Sequence, residues 1–147
     1  MDKSQLLGVA IQKEAEAQRL YENAGKRIRD PGGKKLLEEL ATEEGKHRAM
    51  LEGLPPEQAE QFQPDETQDS RIGDYLKPTS LDPESSVQDV LIYAIKREEA
   101  ARHFYSAMAA QVKCAALKPL LKKLAAMEKS HKARLERFYE DVFLKEM

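Results

Sequence analysis

LLEELATEEGKHRAMLE (Leu36–Glu52) decides the fold once it is set beside LLKKLAAMEKSHKARLE (Leu120–Glu136). Nine of the 17 aligned positions are identical, and the polar matches are the informative ones: Glu44 with Glu128, His47 with His131, Glu52 with Glu136. A second pair of segments, AIQKEAEAQRLYENAG (Ala10–Gly25) and AIKREEAARHFYSAMA (Ala94–Ala109), matches Glu14 with Glu98 and Tyr21 with Tyr105. Both pairs share one offset without a gap (94 − 10 = 84 and 120 − 36 = 84). Apolar residues in all four segments recur at helical spacing. The chain is therefore read as one helical hairpin, duplicated.

Working outward, the first helix is expected from about Lys3 to Arg29. Asp30-Pro31 stops it and starts the next, with Asp as N-cap and Pro at the first helical position. The second helix then runs from about Pro31 to Gly53, with Leu36, Leu37, Leu40, His47 and Leu51 near one face. Residues 54–82 carry Pro55, Pro56, Pro64, Pro78 and Gly73 and read as a crossover, with a helical turn near Ile72–Leu76. Asp82-Pro83 is expected to start the third helix, which runs to about Val112. The fourth covers about Leu117 to Leu144, with Pro119 tolerated in its first turn. A connection this long is unusual in a compact domain. Spanning a bundle between two like-directed helices accounts for it. The predicted fold is an all-α four-helix bundle made of two repeated hairpins (about 3–53 and 83–146) in a single domain, 1–147.

Bulk properties agree and exclude several classes. A chain of 147 residues is long enough to bury a core. It has no Trp, few aromatics and much Ala, Leu, Glu, Lys and Arg, which disfavours a β-sandwich. A net charge of -2 gives no nucleic-acid footprint, and no apolar run is long enough to span a membrane. MDKSQLLGVAIQKEAEAQ lacks the apolar stretch of a signal peptide. The lone Cys114 excludes an intrachain disulfide and a CxxC knuckle. It is read as a small, half-buried filler, and the expected location is cytoplasmic.

Each half thus supplies a Glu on its first helix and Glu-x-x-His on its second. At i, i+3 the two side chains of the motif leave the same helix face. Folding the hairpins together brings Glu14, Glu44, Glu98, Glu128, His47 and His131 to the bundle centre. Four buried carboxylates without compensation would cost several kcal/mol each. Two divalent cations balance them, and oxygen with imidazole donors suits iron, with manganese and zinc fitting the same set. The repeat sorts the neighbours: Glu43 has the twin Met127, Glu16 has Ala100, and Glu99 has Ala15, so these three are read as solvated faces or i, i+4 ion pairs. His103 is read as a surface histidine. Tyr21 and Tyr105 follow Glu14 and Glu98 by two helical turns. They are either core aromatics or hydrogen-bond donors to a bridging carboxylate, with a redox-active phenol as the catalytic version of that role.

The segments KEAEAQRLYENA, LEELATEEGKHRAMLE, AIKREEAARHFYSAMA and KLAAMEKSHKARLE resemble the rubrerythrin branch of the ferritin-like superfamily. The resemblance covers both hairpins. It implies a non-haem di-iron centre that reacts with hydrogen peroxide or dioxygen. It also implies that Glu44 and Glu128 bridge the two metals while Glu14 and Glu98 are terminal ligands beside His47 and His131. Two features depart from the family pattern. No paired CxxC motifs of a rubredoxin domain are present, so an external electron donor such as a rubredoxin-like protein is implied as partner. The family's extra Glu, three residues after the third-helix ligand, is replaced by Ala101, and its twin position is Ala17, so a more symmetric six-ligand centre is expected.

The leading functional expectation is an oxidoreductase that reduces hydrogen peroxide or dioxygen. Two others stand beside it: a ferroxidase that handles iron, and a non-catalytic metal-binding helical bundle, because fold and ligand set do not fix a reaction class. A homodimer is expected, with exchange of hairpins between chains allowed by the long crossover.

Overall fold

Asp30 ends one helix and begins another as its chemistry dictates. Its backbone is extended, its side chain accepts a hydrogen bond from the Gly33 N–H at 2.7 Å, and Pro31 opens the helix that follows. The computed structural model describes residues 3–64, 69–78 and 80–144. Among them lie six α-helices: α1 (Lys3–Arg27), α2 (Pro31–Glu52), α3 (Pro56–Ala59), α4 (Ser70–Leu76), α5 (Val87–Gln111) and α6 (Leu117–Tyr139). A π-helical turn, Glu140–Leu144, extends α6. No strand occurs among the described residues, and no helix is long and apolar enough to cross a membrane.

α1 packs along α2 and α5 along α6, as two hairpins. Their buried residues form two apolar clusters, one at each end of the bundle. Leu6, Ala10, Leu51, Phe104, Leu117 and Leu121 belong to one; Tyr21, Leu37, Leu40, Leu91 and Leu135 belong to the other. The order in which each long helix passes through the clusters gives its direction. α1 and α6 run from the first to the second, whereas α2 and α5 run from the second to the first. α2 and α5 are therefore parallel, and the crossover must traverse the length of the bundle, as expected of a ferritin-like fold.

The crossover is tied down along its way. α4 buries Ile72 and Tyr75 in the first cluster, where Tyr75 packs on Phe104 with ring centroids 4.6 Å apart. Farther along, the Lys13 ammonium donates to the Lys77 carbonyl at 2.7 Å, and Arg27 donates to the Ser85 carbonyl at 2.5 Å. These two bonds tether Lys77 and Ser85 to α1.

Several expected boundaries need correction. α1 ends at Arg27 rather than near Arg29. The second Asp-Pro pair does not start a helix: the Asp82 side chain takes the Glu84 N–H in a turn, and α5 begins at Val87 under a Ser86 cap that accepts from Asp89 N–H at 3.1 Å. A serine in extended backbone three residues later outcompetes the dipeptide. The α-helical part of α6 stops at Tyr139, five residues before Leu144. The expected end of the second hairpin, near 146, lies outside the described residues. The helical turn expected near Ile72–Leu76 occurs as Ser70–Leu76. Cys114 is a free, half-buried cysteine.

Candidate metal centre

On each long helix, the change from one apolar cluster to the other happens at a charged residue. Glu14 lies between Ala10 and Ala17, Glu44 and His47 between Ala41 and Leu51, Glu98 between Ala94 and Ala101, and Glu128 and His131 between Ala125 and Leu135. Four helices thus contribute one polar layer across the middle of the bundle. All six side chains are 0–1% exposed.

The layer has a two-fold arrangement. The imidazoles of His47 and His131 are nearly parallel, 7° apart, with centroids separated by 5.6 Å. In both rings Nδ1 faces the carboxylates. Glu44 Oε1 lies 3.3 Å from His47 Nδ1 and 3.0 Å from His131 Nδ1. Glu128 Oε1 lies 3.1 and 3.3 Å from the same two atoms. Glu14 Oε2 approaches only His47, at 3.6 Å, and Glu98 Oε2 approaches only His131, at 3.7 Å. Glu44 and Glu128 are shared between the two histidines, and Glu14 and Glu98 belong to one each.

Burial makes this layer costly as bare protein. Glu14 Oε2, Glu98 Oε2, both oxygens of Glu44 and Glu128, and both nitrogens of the two histidines are buried without a hydrogen-bond partner. Each such group costs about 1–3 kcal/mol, more when charged. Burial, with the neighbouring Glu44 charge, pushes the Glu14 carboxyl up to about 7. Burial likewise raises Glu98 and Glu128, each also repelled by other carboxylates of the layer. For His47, burial acts downward, but the carboxylates of Glu128, Glu14 and Glu44 outweigh it and push the imidazole up to about 12. His131 is raised in the same way by Glu128, Glu44 and Glu98.

Metal ions would satisfy what the protein leaves open. Donor atoms from Glu44, His47, Glu128 and His131 lie within 4.8 Å of one another, a set that could hold a metal ion. The hard oxygen and imidazole donors fit first-row divalent metals. The orphaned oxygens of Glu14 and Glu98 join that set, one beside each histidine. Residues and geometry fit a two-metal group.

Tyr21 and Tyr105 reach this layer across the hairpin boundary. Tyr21 donates its hydroxyl proton to Glu98 Oε1, and Tyr105 donates to Glu14 Oε1, each at 2.5 Å. Burial and the adjacent carboxylates raise both phenols well above the ordinary tyrosine value, so both remain donors. One of the two readings of these tyrosines named a bridging carboxylate as their acceptor. The structure instead gives them Glu14 and Glu98, because two turns along α1 or α5 brings the ring opposite the facing hairpin.

Other neighbours were not legible as such. Arg97 is buried beside Glu98. Its Nη1 lies 3.7 Å from Glu44 Oε2, while its Nη2 donates to the Lys13 carbonyl at 2.5 Å and approaches the Tyr75 hydroxyl at 3.5 Å. Glu43 is no simple solvated face: Arg134 holds its Oε2 at 2.9 Å, and its Oε1 stands 3.7 Å behind His131 Nε2. Glu99 pairs with Arg102 and His103 on its own helix and with Lys132 of α6, at 2.6, 2.8 and 2.7 Å. His103 stays near the surface in that pair.

The profile of the Rubrerythrin family matches residues 5–80 and 89–147. A hypothetical protein from Pyrococcus furiosus superposes with a TM-score of 0.72 at 28% identity, over 95% of this chain and 89% of that one. A Thermotoga maritima protein described as a ferritin-like diiron-carboxylate protein superposes with a TM-score of 0.68 at 21% identity, over 95% of both chains. Comparison with curated proteins yields no significant match.

Proposed function

The chain belongs to the rubrerythrin family, and from that premise we propose that it is a non-haem di-iron oxidoreductase reducing hydrogen peroxide or dioxygen with electrons from an external donor. The observation that carries the proposal is the polar layer itself: four glutamates and two histidines, 0–1% exposed, with donor atoms turned to a common centre and left without hydrogen bonds. Glu14, Glu44, Glu128 and His47 would hold one metal, and Glu98, Glu44, Glu128 and His131 the other. A ferrous pair there would supply the two electrons that, with two protons, convert hydrogen peroxide to two waters.

The remaining work falls to the protein. Tyr21 and Tyr105 hold one oxygen of Glu98 and of Glu14 and leave the other free to ligate. This orients the carboxylates before any ligand arrives. Apolar clusters on both sides keep bulk water out, which strengthens every charge interaction in the layer. The reductant is assigned, as the family resemblance implies, to an external rubredoxin-like protein.

Elemental analysis, an optical spectrum of the oxidised protein and peroxide consumption test the proposal together. Two irons per chain, near-ultraviolet charge-transfer bands and reductant-dependent turnover are expected. All should be lost when Glu44→Ala and Glu128→Ala are combined. A chain that binds no metal, or a double variant with unchanged metal content, defeats the proposal.

A further inference from the structure

The duplication that places the ligands symmetrically fails at the residue before the first-helix glutamate. Lys13 and Arg97 are twins, and both are buried. The Lys13 ammonium turns away from the centre to the Lys77 carbonyl. Arg97 turns inward, and its Nη1 is buried without a hydrogen-bond partner, 3.7 Å from Glu44 Oε2. Arginine stays charged in any protein setting.

Charge counting then leaves a remainder. Glu14, Glu44, Glu98 and Glu128 supply four negative charges, two divalent metals supply four positive ones, and the histidines ligate as neutral imidazoles. Arg97 adds a fifth positive charge to a centre closed off from water. An uncompensated buried charge is strongly unfavourable. One monoanion cancels it.

Donors for such an anion are in place. Arg97 Nη1 has no hydrogen-bond partner. The Tyr75 hydroxyl, 3.5 Å from Arg97 Nη2, gives its proton to no acceptor among the described residues. Tyr75 arrives from α4 and Arg97 from α5, so both lie on the crossover side of the layer. Tyr75 is 2% exposed, and the surface grooves lined by α2 with α1 or α6 include neither residue. The burial of both residues limits any ligand there to a small ion.

We propose that Arg97 and Tyr75 make the metal-loaded centre a binding site for one small monoanion, of the size class of azide or the conjugate base of hydrogen peroxide. This rests on the two-metal reading above and adds the two residues that select the anionic form of its ligand. Arg97 supplies the charge and Tyr75 a directed proton. A neutral ligand of the metals gains nothing from Arg97.

The test is a titration of the metal-loaded protein with sodium azide, followed by absorption, with metal content measured on the same samples. Wild type should bind one azide per chain saturably. Arg97→Met should keep two metals and bind azide at least tenfold more weakly, Arg97→Lys should stay within about threefold of wild type, and Tyr75→Phe should weaken azide about threefold. Nitric oxide, which is neutral, should bind wild type and Arg97→Met alike, an outcome that a purely structural role for Arg97 does not produce. Loaded wild type without saturable azide binding overturns the inference and leaves the metal centre standing. So does Arg97→Met with full metal and an azide affinity within twofold of wild type. Should Arg97→Met fail to fold, an unchanged azide affinity in Tyr75→Phe overturns it instead. Wild type that binds no metal removes the two-metal reading itself, and this inference with it.

Discussion

Replacing Tyr21 or Tyr105 with phenylalanine removes one oxygen and leaves the ring. Both tyrosines are 0% exposed, and each hydroxyl donates at 2.5 Å to a carboxylate that is equally buried. The ring still fills its space, so the loss is that of a hydrogen bond to a charged group, about 1.5–3 kcal/mol. In a chain of this length that lowers the melting temperature by about 2–4 °C per kcal/mol, or about 3–12 °C per substitution. The twin geometry adds an internal check, since Tyr21→Phe and Tyr105→Phe should agree within about 0.5 kcal/mol. Tyr139→Phe is the control. Its hydroxyl accepts from Gln88 Nε2 at the surface, and its removal should change stability by less than about 0.5 kcal/mol. The assay is urea unfolding of metal-free protein at about pH 8, followed by far-ultraviolet circular dichroism. Lowering the pH to about 6 should shrink the Tyr105 effect towards about 0.5–1.5 kcal/mol. The Glu14 carboxyl, pushed up to about 7, is then mostly neutral and accepts more weakly. The reasoning is refuted if both buried substitutions cost less than about 0.5 kcal/mol, or no more than Tyr139→Phe.

Metal-free protein should lose stability as pH rises. Glu14, raised from 4.5 to about 7, and His47, raised from 6.5 to about 12, bind more protons folded than unfolded. Their contributions are complete below the lower value of each pair and vanish as pH passes the higher one. Metal-loaded protein should show the opposite trend, because ligands must shed protons to bind. Melting temperatures at about pH 5 and pH 9, with and without metal, check both signs, and a metal-free protein that gains stability over that range contradicts the first. Glu44→Ala and Glu128→Ala should each deplete both metal positions, because each carboxylate faces both histidines. Glu14→Ala and Glu98→Ala should deplete one each, as elemental analysis would show. Gly33→Ala should destabilise by about 1–3 kcal/mol, overriding the better helix propensity. Its Cβ would stand 2.5 Å from Phe138 Cζ and 2.7 Å from Ile28 Cδ1. Gly8→Ala, with no atom within 4 Å, should stabilise by up to about 1 kcal/mol, and equal melting shifts for the two would contradict the packing argument.

What the sequence disclosed follows from which interactions are local or repeated. Glu14, Glu44, His47 and their twins were legible because a duplicated donor set recurs at one offset, and the structure brings all six together. Cap signals worked at Asp30 and misled at Asp82, where a better-placed Ser86 competes for the helix start. Tyr75 was hidden because its place depends on how a proline-rich crossover returns over α5, a long-range event with no periodic signal. Glu43 was set aside because its twin is Met127, yet its neighbour across the bundle is His131. Arg97 did leave a trace. A basic residue precedes the first-helix glutamate in both halves, Lys13 and Arg97, but matching by identity passes over a lysine paired with an arginine.

These exceptions to the repeat bear on how the centre works. A perfect two-fold arrangement would make the two metal positions equivalent, and the six donors taken alone come close to one. The groups around them do not. His131 has a carboxylate behind Nε2, held by Arg134, whereas the position behind His47 is occupied in sequence by Met127. A carboxylate there raises the basicity of the imidazole and fixes its orientation. Arg97 faces Glu44, while no cation faces Glu128 from Lys13, whose ammonium points outward. Such differences bias how the two positions share charge and bind an asymmetric ligand. Hairpin duplication alone supplies a symmetric cage. The residues where duplication fails decide which position is held more firmly, and from which side an anion is received.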